Sequence, residues 1–117
     1  MKKTLVFAAV AEAVTGLALL IVPSLVGKLL LGEDLTGIAI PVARVAGIAL
    51  IALGVACWPG TPLVGMLTYN ATVTPYLAYV GIVGGLTGLL LWPAVLVHAI
   101  LTVLLARDLS EAVPQKT

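Results

Sequence analysis

From Leu63 to Ala106 the chain reads LVGMLTYNATVTPYLAYVGIVGGLTGLLLWPAVLVHAILTVLLA, forty-four residues with no Lys, Arg, Asp or Glu. A helix needs about 20 apolar residues to cross about 30 Å of hydrocarbon. The stretch is too long for one crossing and suits two, joined by the glycine-rich run from Gly81 to Gly88. Its apolar residues are continuous rather than alternating, which argues against a β-barrel. Working outward, Gly37 to Cys57 is interrupted only by Arg44, and Thr4 to Val22 only by Glu12. The expected architecture is all-α, a four-transmembrane-helix bundle with spans at about 4–22, 37–57, 63–82 and 86–106. Residues 1–117 then form a single transmembrane domain with a polar tail over 107–117.

Composition agrees. The chain has 117 residues, is 62% hydrophobic and only 9% charged, and its mean hydropathy is +1.22. A soluble domain carries about 25% charged residues to cover its surface. This composition excludes an ordinary soluble domain and a disordered chain. The net charge of +1 supplies no steering field, so no nucleic-acid partner is expected. The lipid bilayer is the partner the composition implies.

The connections are punctuated as spans require. Pro23-Ser24 ends the first span, and Leu25 to Leu31 reads as a short segment lying in the interface. Gly32-Glu33-Asp34 is its polar exit. Trp58-Pro59-Gly60-Thr61-Pro62 is a tight turn with a tryptophan at headgroup level. Four crossings place both termini on one side. That side carries Lys2, Lys3, Arg107 and Lys116, against Lys28 alone on the other, so both termini are expected to be cytoplasmic. Met1-Lys2-Lys3 resembles the start of a signal peptide, but Glu12 would fall in the middle of its apolar region. A single cysteine, Cys57, allows no internal disulfide. Asn70-Ala71-Thr72 matches a glycosylation pattern but lies inside a span.

Polar residues within spans are the candidates for function. Counting about 1.5 Å per residue from the assumed span ends, Glu12, Asn70 and His98 share a level about 10–12 Å in. Arg44 falls about one and a half turns deeper, within side-chain reach of Glu12. Two lone charges in hydrocarbon are costly, so a Glu12–Arg44 pair is expected, either as a structural link between the first two spans or as part of a functional site. In the third span Tyr69, Thr72, Tyr76 and Tyr79 form one stripe at 100° per residue, with Asn70 and Thr74 nearly opposite. The expectation is that the tyrosines face inward near the charged pair and that Asn70 meets a neighbouring helix or a second protomer. The alternative turns Asn70 inward and the tyrosines out. The expected polar cluster is thus Glu12, Arg44, Tyr69, Asn70, Tyr76 and His98.

Pro75 and Pro93 are expected to kink the third and fourth spans. The small-residue spacings Gly81/Gly85 and Gly84/Gly88, and Ala8, Glu12, Gly16, Gly47 and Gly54, offer close-contact faces. His98 is the only histidine, so bis-histidine haem ligation within the chain is impossible, and a metal site is not expected. No Walker loop, HExxH, CxxC or nucleophile elbow is present, and no catalytic residues are assigned. The residues do not point to any cofactor.

The stretch from Leu17 through Pro23 to Gly27, then Leu30-Leu31-Gly32, then Ala43-Arg44-Val45-Ala46-Gly47-Ile48-Ala49-Leu50, resembles small bacterial membrane proteins of the DoxX-like group. The resemblance runs from about residue 5 to 107 and implies a four-helix topology, a special place for Arg44 and the bacterial inner membrane as the location of a multi-pass protein. It carries no activity with it. The length and Glu12 also resemble small multidrug transporters, whose first-helix glutamate exchanges protons for cationic substrates. Here Arg44 would neutralise that glutamate, and the aromatic residues lie in the third span instead.

The function expected is that of a non-enzymatic membrane protein, an accessory or assembly subunit or a binder of a small apolar ligand, acting in a homo-oligomer or a larger membrane complex. One alternative is a small proton-coupled transporter using Glu12, with His98 as a second carrier. The other is a membrane enzyme on a lipid or quinone with Glu12 and His98 as acid and base.

Overall fold

The computed structural model describes residues 2–58 and 60–112, and within them the regular structure is helical throughout. There are four long helices and one short one: α1 (Lys2–Ile21), α2 (Pro23–Leu31), α3 (Ala39–Cys57), α4 (Pro62–Ile82) and α5 (Leu91–Ala112). Prolines set most of the boundaries. Pro23 has no N–H to continue the α1 ladder, so α1 closes on the bond from Val22 N–H to Ala18 O and α2 begins anew. Gly32 ends α2 in the left-handed conformation, φ 89°, with its N–H returned to Lys28 O. Pro41 lies in the first turn of α3, where a missing donor costs nothing. Thr61 caps α4, its hydroxyl oxygen accepting from Val64 N–H, and Pro62 follows at the first helical position.

The fourth long helix departs from expectation. It starts at Leu91 rather than near residue 86. Gly84, Gly85 and Gly88 therefore lie in the connecting loop, where Gly85 takes φ 68°, and the two small-residue spacings expected on a helix face are not on one. Pro93 falls in the first turn of α5, so it opens the helix instead of kinking it. Pro75 is inside α4, leaving the carbonyl of Ala71 without its usual partner. At the far end α5 continues to Ala112, so residues 107–112 of the expected tail are helical. Residues 113–117, Lys116 among them, lie outside the described residues.

The helices pack in chain order. α1 lies on α3, α3 on α4 and α4 on α5, while α2 tucks against α1 and α3. Among the described residues α1 and α5 do not meet, and the whole measures 54 × 38 × 17 Å. The result is a thin open layer rather than a closed bundle. Short connections set each long helix beside the next one. No long crossover brings α5 back onto α1.

Small residues knit the first seam. A Cβ on Gly16 would stand 2.5 Å from Gly47 O, and one on Gly54 would stand 2.7 Å from Ala9 O. Both contacts are with backbone, so α1 and α3 approach as closely as two helices can. They run antiparallel, Gly16 level with Gly47 and Ala9 with Gly54. Gly65 of α4 meets Ala52 and Ala56 of α3 in the same way.

Three of the long helices are long and apolar enough to cross a membrane, over Lys3–Ile21, Ala39–Cys57 and Leu91–Ala112. α4 is as long but carries Asn70, three tyrosines and three threonines besides Pro75. Large apolar side chains stand outward on both end helices, among them Phe7, Val14 and Ile21 at seven-residue intervals on α1, and Leu96 and Val103 on α5. Such surfaces are far larger than water tolerates and suit lipid or another apolar helix.

Candidate functional site

The six candidate residues do not form one site. Along the α1–α3 seam the register set by Gly16 and Gly47 makes Glu12 level with about residue 52 and Arg44 level with about residue 20. The two charges are therefore separated by about eight residues, or about 12 Å along the axis. No ion pair joins them among the described residues. The expected Glu12–Arg44 pair is corrected accordingly. Counting from span ends assumed Thr4 to be level with Cys57, whereas the glycine contacts place it nearer Gly60.

Arg44 instead serves the end of α1. Its Nε donates to Leu20 O at 3.2 Å. Pro23 and the break at Val22 deprive the last turn of α1 of helical donors, and a cation at a helix C-terminus is favoured by the exposed carbonyls. Glu12 is half-buried at the other end of the same seam, beside Leu53, Gly54 and Cys57. Its neighbours there are apolar.

The remaining polar candidates gather along α4. Asn70 is 1% exposed, the most buried polar side chain among the described residues. Its Nδ2 donates to Met66 O at 2.8 Å, and its Oδ1 is buried with no partner among the described residues. Gly81, eleven residues on and about 20° away around the helix, meets Leu91 and Trp92 of α5. Asn70 therefore turns toward α5 within the same chain. Asn70 is inside, while of the tyrosine stripe Tyr69 and Tyr76 are half-buried and Tyr79 is 55% exposed.

His98 meets Tyr69 across the α4–α5 seam in an edge-on contact with ring centroids 6.0 Å apart. Its Nδ1 lies 2.7 Å from Ala94 O, a contact in which Nδ1 donates and the carbonyl accepts. Thr102 donates to His98 O one turn on. Tyr76 stacks on Tyr79 at a centroid distance of 6.4 Å. Glu12 is on the far seam from His98, so the two are not brought together. Among the described residues no cluster of His, Cys, Asp and Glu is placed to hold a metal.

One concavity has no counterpart in the sequence reading. It is an open groove of about 590 Å³ between α3 and α4, lined by Pro41, Val42, Val45, Tyr76 and Val80 and bordered by the loop at Gly85–Gly88. Only Tyr76 connects it with the expected cluster. Comparison of the chain with protein-family models, with characterised proteins and with solved structures yields no match.

Proposed function

We propose that this chain is a four-crossing membrane protein without enzymatic activity, acting as an assembly subunit, with its α3–α4 groove open to a small apolar ligand. α4 serves as the fourth crossing despite its polar residues. Thr68, Thr72 and Thr74 each donate to the carbonyl four residues earlier, and Asn70 does the same through Nδ2. Hydroxyls satisfied in this way do not need water. With four crossings, Lys3 and Arg107 lie on one side and Lys28 on the other, and both termini are cytoplasmic in the inner membrane of a bacterium. The similarity to DoxX-like proteins fits this topology and adds no activity.

The observation that carries the assembly reading is the open layer. α5 touches only α4 and buries none of its residues, and both end helices present apolar faces. A second layer, from another copy or a larger complex, would cover these faces. The native mass of the detergent-extracted protein tests this. Dimers, higher oligomers or a stoichiometric complex are expected, and a monomer that carries neither protein nor apolar ligand contradicts the reading.

A second reading is favoured by Glu12. Freed from Arg44, a carboxyl within a span has the placement that a proton-coupled transporter uses. Proton-driven substrate movement in liposomes, abolished by Glu12→Gln, would establish it in place of the assembly role.

A further inference from the structure

Arg44 poses a charge problem that the rest of the chain leaves open. A guanidinium stays ionised at every accessible pH and carries five N–H donors. Only Nε has a partner among the described residues, the neutral carbonyl of Leu20. Glu12 is about 12 Å away along the seam, and Glu33 and Asp34, exposed beyond Gly32, form no ion pair with it. A half-buried cation with four unused donors calls for an anion from outside the chain.

Its position says which anion. Arg44 is in the second turn of α3, about 7–8 Å below the start of that helix. A long side chain at that depth reaches the headgroup level. α2 lies at the same end, packed on both α1 and α3, with Pro23 and Gly27 buried beneath it. Its outer face exposes Leu25 and Leu29, and Lys28, also exposed, adds the second positive charge at this end. Leucines facing outward beside a lysine suit acyl chains below and an anionic headgroup above. The planar fork of arginine matches phosphate oxygens in bidentate fashion.

We propose that Arg44, supported by Lys28, binds the phosphate of an anionic phospholipid at the corner of α1, α2 and α3, with α2 lying along its acyl chains. The proposal rests on the membrane reading and goes beyond it, since the assembly role requires no particular lipid. The bound phosphate offsets the charge that Glu12 is too distant to balance, and it ties the α1–α3 seam to the interface.

Thermal melts of the full chain in detergent test this, with phosphatidylglycerol, phosphatidylcholine or inorganic phosphate added. Phosphatidylglycerol at about ten times its Kd should raise the melting temperature by about 5 °C, with smaller shifts from the other two. In Arg44→Leu that selective shift should vanish, and in Lys28→Gln, which leaves Arg44 in place, it should shrink. If Arg44→Leu fails to fold, Arg44→Lys takes its place and should lose most of the selectivity, because the fork is gone while the charge stays. Equal shifts with both lipids, or a selective shift undiminished in the Arg44 variants, would overturn the proposal. Inorganic phosphate matching the lipid would overturn the lipid as the source. A protein that stays dispersed without any detergent would refute the membrane reading itself, a distinct result.

Discussion

The α1–α3 and α4–α5 seams solve the same problem by opposite means. Between α1 and α3 the contact is backbone on backbone, with Gly16, Gly47 and Gly54 removing the side chains that would hold the helices apart. Between α4 and α5 side chains carry the contact: Tyr69 meets His98 edge-on, and Leu91 and Trp92 cover Gly81. The first seam is crossed by one polar side chain, Arg44, whose Nε donates to Leu20 O, and holds Glu12 half-buried at its other end. The second carries a buried orphan oxygen, and no residue of α5 is fully covered. In lipid there is little hydrophobic drive between helices, so close packing and hydrogen bonds decide association. The α1–α3 seam is therefore the more closely packed of the two.

Substitutions can break or sharpen this contrast. The largest effect is expected from Gly47→Val, whose branched side chain would collide with the backbone at Gly16 O and with Leu19 and Leu20. A loss of about 3 kcal/mol or more, read as loss of folded protein in detergent, is expected because backbone cannot move aside. Asn70→Leu should act in the other direction. It removes a buried acceptor that has no partner, while Met66 O keeps its helical bond, so a gain of about 1 kcal/mol in melting measurements is expected. His98→Leu should cost about 1 kcal/mol through the lost edge contact with Tyr69 and the Ala94 bond. Glu12→Gln should change stability by less than about 0.5 kcal/mol, since no ion pair is lost. A large loss in that variant would restore the pair with Arg44.

How much of this was legible in the sequence follows from what each residue controls. Proline and glycine act locally, and the chain breaks at Pro23, Gly32 and Pro62 where their chemistry requires it. The same rule misplaced Pro93 only because its helix starts five residues later than the apolar run suggested. Register is different. Whether Glu12 meets Arg44 depends on which glycine of α1 seats on which glycine of α3, and nothing in either span alone fixes that. An assumption that the span ends were level moved the two charges within reach of each other. The rotation of α4 was open for a similar reason: Asn70 and the tyrosine stripe are both polar, and the pattern alone does not say which of them is covered. The open layer was not visible because a hydrophobic pattern reports how apolar a helix face is and not whether lipid or protein covers it.

Disulfide trapping in native membranes, in a Cys57→Ser background, tests the open layer most directly. Cysteines at Ala13 and Val55, which line one cleft between α1 and α3, should link within a single chain. Cysteines at Val14 and Val103, on α1 and α5, should not, because the two helices do not meet. An efficient link between Val14 and Val103 within one monomer would show a closed bundle and contradict this account.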